Sequence, residues 1–525
     1  MDSAAEFPAI NRRDWYAIGL LLLLSGLIHA WLLSHTEVAA RDCIGFIRYA
    51  WQLESHPLPD IMRRAQVHPG YPVAIHFAKP IVALFYHASD PLLMEKTAQV
   101  VSCFFGLLLV IPMYLLGREL FSPWIGFCAA LCFQCLPLPG RVLSDGLSEA
   151  TFYFFFAMSA WQGVRGLRCG RPLAFVLCGA FGALAYLTRP EGVLVVLATG
   201  AALATAVAVR VFRHSWLKAA ACGLALSASA IIVGCPLYLI TGKISPKPTT
   251  GDVLRFGGHP DNENRSATTI AAPPLAVTGI EKNTLHGLRA VINESIKGFD
   301  YVGWVPALLG LWWCRSHLAR QPGHWVLLLM ALGISLTAWR VATLEGYLSD
   351  RHVLVLIFCG TFWMAAGLQA LPTKLAALAE RWRWSGIGRL CSSARAPVIL
   401  LAFVVLGCLP RTLQRLHYNR SGFRDTGLWL AQHTSYLDPI VDPYCWSHYY
   451  AGRVFIEGRD TAEDADPDHV PATYVILEEA HNPHPNLPEV ATAEKLVKQP
   501  HEEVYRWKGY RGREYAEIAV YRLSQ

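Results

Sequence analysis

The chain has 525 residues, of which 53% are hydrophobic and 16% are charged, against roughly 25% charged in an ordinary soluble domain. This composition excludes a purely soluble protein and indicates one embedded in a membrane. The net charge of +7 does not indicate nucleic-acid binding, because the excess basic residues lie in short connections between apolar runs, a pattern that orients membrane proteins.

Apolar segments near the bilayer-spanning length of about 20 residues recur through residue 410, and the rest of the chain lacks them. We therefore predict a mainly α protein with two parts. Residues 1–410 form a polytopic transmembrane helical bundle, and residues 411–525 form a small α/β domain outside the membrane. Most of the 14 cysteines lie inside apolar runs without metal-ligand spacing, so we interpret them as small core residues.

The first apolar run, residues 15–33, follows Arg12 and Arg13. The sequence VAA at 38–40 loosely resembles a cleavage site, so a signal peptide is an alternative. The run is longer than the roughly 7 to 15 residues usual for a signal peptide, which favours an uncleaved anchor. In both cases the following segment lies outside the cytoplasm.

The apolar runs predict about eleven spans. They lie near 15–33, 97–117, 124–140, 146–163, 173–189, 191–209, 217–240, 299–314, 324–340, 352–371 and 396–409. If the N-terminus is cytoplasmic, nearly every basic short loop falls on the cytoplasmic side, as orientation by loop charge requires. These loops contain Arg118 and the basic residues of 165–171, 210–218, 315–320 and 374–395.

Residues 72–89 are apolar but carry His76, Lys79, Pro80 and His87. Counting them as a span would invert every later loop and move the basic clusters outside. We therefore predict a helix that lies on the membrane surface or enters it only partly. The first outer loop then covers residues 34–95.

With this topology the charged connections gather on the outer face. They are the first outer loop, the stretch PGRVLSDGLSE at 139–149, the turn TRPEG at 188–192, the polar loop 241–298 and EGYLSDRH at 345–352. The C-terminal domain lies on this side too. The chemistry should therefore be sought there.

Asp42 stands early in the first outer loop, a few residues after the first span. A carboxylate at this place can accept a proton from an acceptor hydroxyl or amine, so Asp42 is a candidate catalytic residue. The alternative is a simple ion pair with Arg41 or Arg48.

The motif HPGYP, residues 68–72, contains two prolines and a glycine that favour a tight, extended backbone. It makes His68 and Tyr71 candidate substrate-binding residues, although a loop histidine can equally be only solvated or hydrogen-bonded. Glu54, His56, Asp60 and His68 of the same loop could together bind a divalent metal ion. No ligand pair has the regular spacing of a dedicated site.

Asp145 precedes the run LSEATFYFFFAM, so we expect it in the first turn of a helix, where the helix dipole favours an anion. Helix capping is the alternative role. Glu149, at i+4, would lie one turn deeper on the same face. Asp145 is therefore a second catalytic candidate, and Arg141 and Glu149 are candidates for substrate binding.

Arg189 and Glu191 occupy a turn so short that both must lie at the outer surface, and Arg351 and His352 begin a later span. Arginine binds phosphate oxygens in bidentate fashion, and a lipid phosphate resides at this depth. We interpret all four as candidate substrate-binding residues. The alternative for the arginines is contact with host-lipid headgroups.

Taken together and in order, these elements resemble the GT-C class of integral-membrane glycosyltransferases, specifically the family of protein O-mannosyltransferases and bacterial aminoarabinose transferases (glycosyltransferase family 39-like). The motifs are RDCIGFIRYAW, HPGYP, RVLSDGLSEATFYFF and LAYLTRPEG, within about residues 15–240, with a weaker echo at YLSDRHVLVL. The resemblance implies that Asp42 is the catalytic base, that Asp145 is similar to the second-loop acid and that His68 corresponds to the loop closing the pocket. Cys43 departs from the family, which often has a second acid there, and leaves the particular sugar and acceptor open.

The resemblance further implies transfer of a sugar, with inversion, from a polyprenyl-phosphate carrier on the outer face of a plasma, inner or endoplasmic reticulum membrane. The acceptor is a protein, a lipid or a glycan, and membrane lipids are the other partners. The main alternative is a transporter or flippase of lipid-linked sugars, but the sequence shows no clear internal repeat and its charges gather at one mouth. A sensor that only binds lipid is a third possibility.

The C-terminal domain contains a predicted helix, GLWLAQHT, and strand-like segments ATYVILEE, EVYRWKG and YAEIAVYRL. The acidic stretch RDTAEDADPDH at 459–469 does not have the spacing of a calcium-binding loop. The domain either helps to recognise an acceptor or caps the bundle passively.

Overall fold

The computed structural model describes residues 10–246 without 213, 284–381, 391, 393, 395–456, 472–479, 488–511 and 514–524. Parts of the predicted loops 241–298, 210–218 and 374–395, and the acidic stretch 459–469, lie outside the described residues. The first part of the chain is helical. Helices α1 to α18 are Arg12–Ser34, Arg41–Gln52, Leu58–Arg64, Gly70–Ala83, Asp90–Leu108, Val110–Leu120, Pro123–Cys135, Pro137–Val142, Glu149–Cys169, Pro172–Thr188, Val193–Ala208, Trp216–Thr241, Thr284–Gly298, Trp304–Trp313, Arg315–Arg320, Pro322–Glu345, Leu354–Arg381 and Ala396–Thr412.

Every predicted span overlaps at least one of these helices. Six helical stretches in the described residues are long and apolar enough to cross a membrane, and four shorter apolar helices accompany them. The helical membrane fold predicted from composition is therefore confirmed. The boundaries differ where the chain turns, because the predicted span 124–140 is divided into α7 and the short α8, and α9 begins three residues after the predicted start at 146.

The segment of doubtful topology, residues 72–89, is mainly the helix α4, which has 14 residues. This is shorter than the roughly 20 residues that cross a bilayer. The outward side of α4 carries Phe77 and Ile81, and Leu84 and Phe85 follow directly after the helix; these four residues are 62% to 83% exposed. The other side of α4 packs on α2 and α5, so this part of the first outer loop is held against the neighbouring helices.

The C-terminal region contains a four-stranded sheet with the order β1-β2-β4-β3. The strands are Ile440–Val441, Tyr474–Glu478, His501–Arg511 and Glu514–Leu523, and the helices α19 to α21 are Ser421–His433, Trp446–Tyr450 and Pro488–Leu496. β1 pairs with β2 in parallel, and the other pairs are antiparallel, with Ile476 opposite Val520. The predicted helix and the three predicted strands of this region are thus confirmed.

Alternation along the strands gives the sheet two apolar faces. Ile476 and Val520 belong to the same hydrophobic core as the bundle, whereas Val475 and Ala519 pack with Ala493 of α21. The sheet therefore shares its inner face with the membrane-embedded part of the protein.

The C-terminal region holds the first outer loop through side chains of α20. Trp446 Nε1 donates to the carbonyl of Ala39 (2.8 Å), and the backbone N–H of Ala39 donates to the hydroxyl oxygen of Tyr450 (2.9 Å). The Tyr450 hydroxyl donates in turn to Glu95 Oε2 (2.9 Å), and Tyr449 donates to the carbonyl of Pro91 (2.6 Å). The segment that leads into α2 is thereby fixed between the bundle and the C-terminal sheet.

Candidate active site

An ion-paired chain of side chains connects four separate parts of the sequence. Arg351 Nη2 bonds to Asp42 Oδ2, and its Nη1 lies 3.5 Å from Glu149 Oε1. Arg189 Nη1 contacts the same Glu149 oxygen at 2.6 Å, and its Nη2 lies 3.1 Å from Glu191 Oε1. Five residues predicted separately from sequence therefore meet in one cluster.

The side chains of this cluster differ sharply in their exposure. The side chain of Glu149 is 2% exposed and that of Arg189 is 14% exposed. The side chains of Arg351 and Asp42 are 31% and 51% exposed. The cluster therefore has a buried end at Glu149 and an accessible end at Asp42.

Local structure explains why these residues come together. Asp42 lies in the first turn of α2, Glu149 is the first residue of α9, and Arg351 lies in the 3-10 helix Asp350–Val353. Arg189 ends α10 in extended conformation before the 3-10 helix Pro190–Gly192. A Cβ at Gly192 would lie 2.1 Å from the backbone nitrogen of Tyr186, so only glycine permits this tight turn.

The sequence left open an ion pair of Asp42 with Arg41 or Arg48, but the structure pairs it with Arg351. Arg41 is directed away, and its Nη2 lies 3.8 Å from the Cys445 sulfur in the C-terminal region. Neighbours at i−1 and i+6 project from other sides of a helix than residue i. The partner of Asp42 therefore comes from a different element.

Asp145 does not lie in the first turn of a helix, and that prediction is wrong. It lies in the turn between α8 and α9, and Gly146, with φ of +66°, prevents a continuous helix to Glu149. Its carboxylate instead accepts from His417 Nε2 at 2.8 and 2.9 Å. The two acids thus have different partners and do not form the predicted i, i+4 pair.

Cys43 connects the surroundings of the two aspartates. Its side chain is fully buried, and a Cβ at Gly146 would lie 2.9 Å from its sulfur. Burial raises the pKa of the Cys43 thiol well above its usual value, and the carboxylates of Glu95, Asp145 and Asp42 raise it further. The carboxylates of Glu95 and Asp145 therefore lie near the first turn of α2, which carries Asp42.

The HPGYP motif is less extended than predicted, because Gly70, Tyr71 and Pro72 already belong to α4, where proline fits the first turn. His68 is 2% exposed, and its Nε2 lies 3.1 Å from the Ser245 hydroxyl. Tyr71 is fully buried and donates to the carbonyl of Ala98 (2.7 Å). Tyr71 therefore packs in the core, and its contact with substrate stays a prediction.

The remaining two candidates are His352 and Arg141. His352 is half-buried in the same 3-10 helix as Arg351. Arg141, in the last turn of α8, is half-buried. Across the described part of the chain, no group of three His, Cys, Asp or Glu side chains is placed to hold a metal ion.

Sequence reasoning missed His417, Glu95 and Tyr450. His417 is 272 positions from its partner Asp145, and no local pattern in the sequence indicates such a pairing. Glu95 carries a recognisable signal, because an acid at the start of an apolar run is costly unless it has a partner. Tyr450 supplies that partner.

Residues 68–233 match the sequence model of the family described as dolichyl-phosphate-mannose-protein mannosyltransferase. The matched segment is less than half of the chain. It includes Asp145, Glu149, Arg189 and Glu191 but neither Asp42 nor Arg351.

Solved structures resemble the chain over nearly its whole length. ArnT from Cupriavidus metallidurans, bound to undecaprenyl phosphate, has a TM-score of 0.59 at 11% identity, covering 97% of this chain and 98% of that one. The oligosaccharyltransferase of Archaeoglobus fulgidus, in complex with Zn and sulfate, has a TM-score of 0.55 at 14% identity, covering 95% and 72%. AglB from the same organism, with an inhibitory peptide and a dolichol-phosphate, has a TM-score of 0.51 at 12% identity, covering 98% and 75%.

No curated protein sequence matches the chain at a significant level. The family match and the structural likeness together confirm the predicted resemblance to GT-C glycosyltransferases of the family 39-like type. The fold is that of the GT-C class, with a small C-terminal sheet.

Proposed function

We propose that the chain is a glycosyltransferase that moves a sugar from a polyprenyl-phosphate carrier to an acceptor on the outer membrane face, with inversion at the anomeric carbon. The observation that carries the proposal is the ion pair of Asp42 and Arg351, which places a carboxylate beside a guanidinium at the accessible end of a buried charge cluster. Two structural neighbours hold undecaprenyl phosphate and dolichol-phosphate, and the matching family is described as acting on a dolichyl-phosphate sugar. These likenesses support a lipid-linked donor.

In this mechanism Asp42 is the general base. An acceptor hydroxyl or amine attacks the anomeric carbon, Asp42 takes the proton of the attacking group, and the bond from that carbon to the phosphate oxygen breaks. The electron pair leaves with the polyprenyl phosphate, which is already a good leaving group, so no strong acid is required. The exposure of Asp42 supports this role, because an acceptor must reach it.

The two arginines receive different roles. Each arginine contacts two carboxylates, but Arg189 is mostly buried and holds Glu149 and Glu191 at 2.6 and 3.1 Å. Arg351 is more exposed and lies beside Asp42. In the proposed site Arg351 binds the donor phosphate, because its planar guanidinium can form two parallel hydrogen bonds to phosphate oxygens. Arg189 holds Glu149 in place.

Asp145, Arg141, His68 and His352 remain proposed contributors to the pocket wall. No hydrogen bond or ion pair joins the Arg141 guanidinium to another of the described residues. It is therefore available to a second anionic group of the donor or acceptor. Tyr71 is left out, because its ring and hydroxyl are buried in the core.

The proposal includes the orientation of the protein in the membrane. It also includes the division of the chain into a transmembrane domain, residues 1–410, and an outer domain, residues 411–525. Loop charge puts the first outer loop on the non-cytoplasmic side, and the C-terminal region packs directly on that loop through Trp446 and Tyr450. Both then share one side of the plasma, inner or endoplasmic reticulum membrane. A protein acceptor has support from the inhibitory peptide bound by AglB, and lipid and glycan acceptors are the other candidates.

The test is sugar transfer by the full chain reconstituted in proteoliposomes. Undecaprenyl- and dolichyl-phosphate donors carrying radiolabelled mannose or aminoarabinose are supplied with a membrane extract as acceptor source. We expect label to leave the lipid carrier and free polyprenyl phosphate to accumulate. Movement of intact donor between leaflets, with no bond broken for any donor, would instead identify a flippase.

A further inference from the structure

The bond between His417 and Asp145 joins the segment after α18 to the turn before α9. His417 Nε2 lies 2.8 Å from Oδ1 and 2.9 Å from Oδ2 of the Asp145 carboxylate. The side chains are 25% and 12% exposed, respectively. A charge-assisted bond of this geometry in a partly buried place fixes the direction of the carboxylate.

The backbone around His417 is held in an unusual conformation. The N–H of Leu416 donates to the His35 carbonyl, and the N–H of Glu37 donates to the Leu416 carbonyl, both at 3.1 Å. Directly after this bridge, His417 has φ of 52° and ψ of 29°, in the left-handed region. A residue other than glycine pays free energy for this conformation, and such residues persist where the surroundings enforce them and cluster at functional sites.

The Asp145 turn lies directly against the first turn of α2. Gly146 packs on the sulfur of Cys43, which is the neighbour of Asp42 in α2. On its other side, the Ser144 hydroxyl lies 2.8 Å from His29 Nδ1 in α1. A shift of this turn would therefore displace Cys43, and with it the first turn of α2 that carries Asp42.

Contacts other than the His417 bond also attach the C-terminal region to the bundle. Trp446, Tyr449 and Tyr450 bond to Ala39, Pro91 and Glu95, and this contact is independent of the histidine. Attachment of the C-terminal region therefore does not by itself explain why His417 bonds to a carboxylate of the site.

We propose that His417 is a positioning residue of the transfer site, which fixes the Asp145 carboxylate beneath the first turn of α2 and thereby the place of Asp42. The inference rests on the proposed function. Through this bond a residue of the C-terminal part of the chain reaches the Asp145 turn. Its contribution is a donated hydrogen bond, with no contact to the reacting atoms.

The experiment compares three substitutions of His417 in the full-length chain in proteoliposomes. His417→Ala removes the donor, and His417→Gly removes it while relieving the backbone, so a loss caused only by backbone strain would be restored in the glycine variant. His417→Gln keeps an amide N–H at nearly the reach of Nε2. His433→Ala is the matched control, because His433 is an exposed histidine of the same region whose ring contacts Trp429, through its carbonyl and its ring, and is not joined to the described residues of the site.

With the radiolabelled donors, we expect kcat to fall about 10- to 100-fold in the alanine and glycine variants, with KM for the donor changed less than about threefold, because misplacement of a catalytic group affects the reacting step. The glutamine variant should stay within about threefold of wild type. A glutamine variant as impaired as alanine, or full kcat in alanine, would overturn the inference.

Hydrogen exchange supplies a readout that does not need activity. We expect backbone amides of the first turns of α2 to exchange at least about tenfold faster in the alanine and glycine variants than in wild type and the glutamine variant, with no change in α3. Unchanged exchange in α2 would overturn the positioning role. Absence of transfer by the wild-type chain would instead contradict the proposed function, so the two failures are distinguishable.

Discussion

The carboxylate of Asp42 is bonded to the guanidinium of Arg351, 309 positions later in the chain. The same guanidinium reaches Glu149 with its other terminal nitrogen. One arginine thus connects an exposed carboxylate to a buried one. Of the two acids, only Asp42 is exposed enough for the proposed acceptor to reach it.

Asp42→Asn tests the base directly. We expect transfer to fall at least about a hundredfold, since the amide cannot take a proton. Unfolding temperature should change little, because an exposed ion pair contributes at most about 1 kcal/mol. Asp60→Asn is the control, as Asp60 is equally exposed and pairs with Arg63 of its own helix. Full transfer by the Asp42 variant would remove the assignment.

Arg351→Ala tests the phosphate contact. We expect KM for the donor to rise about tenfold or more, because a charged hydrogen bond contributes roughly 1.5 to 3 kcal/mol. Lysine at this position should restore binding only in part, since it lacks the bidentate fork. Arg415→Ala is the control, because this exposed arginine lies 3.6 Å from Glu37 outside the cluster. An unchanged donor KM in Arg351→Ala would contradict the assignment.

Arg189→Met should act on stability. It leaves the buried Glu149 with only the longer contact to Arg351, and removing one partner of a buried ion pair costs about 3 to 5 kcal/mol. We expect a clear fall in the thermal unfolding midpoint in detergent. Adding Glu149→Gln should recover part of the loss, since no buried charge then lacks its counterion. Strict additivity of the two changes would show that they are not coupled.

Tyr450→Phe tests the connection between the C-terminal region and the first outer loop. It removes the partner of the Ala39 N–H and one partner of the buried Glu95, which should cost about 1 to 3 kcal/mol. Transfer should fall as well, because Ala39 leads directly into α2. Tyr449→Phe, which loses only the bond to Pro91, should destabilise without a comparable fall in transfer by the folded fraction.

Cys43 should be chemically inert in the folded chain. Its raised pKa keeps the thiol protonated at pH 8, and only the thiolate reacts readily. Peptide mapping after maleimide treatment should find Cys43 unlabelled in native protein and labelled after denaturation. The partly exposed Cys391 should react in both states. Labelling of native Cys43 at pH 8 would show that the first turn of α2 is open.

Several features of the site were predictable because they depend on local composition. Asp42, Glu149, Arg189, Glu191 and Arg351 were all identified as charges at the ends of apolar runs, where an unpaired charge is costly. The turn at Asp145 also had a local signal, because Asp-Gly marks turns rather than helices. The periodicity of the flanking residues concealed it.

The sequence by itself determined where apolar helices and alternating strands lie, since hydropathy and period are sums over neighbouring residues. It also predicted that the charged connections lie together on one side of the membrane. Only the tertiary structure decided the partners, pairing Asp42 with Arg351 and Asp145 with His417. An ion pair depends on which elements pack within a few ångströms of each other, and residues hundreds of positions apart carry no local trace of that contact.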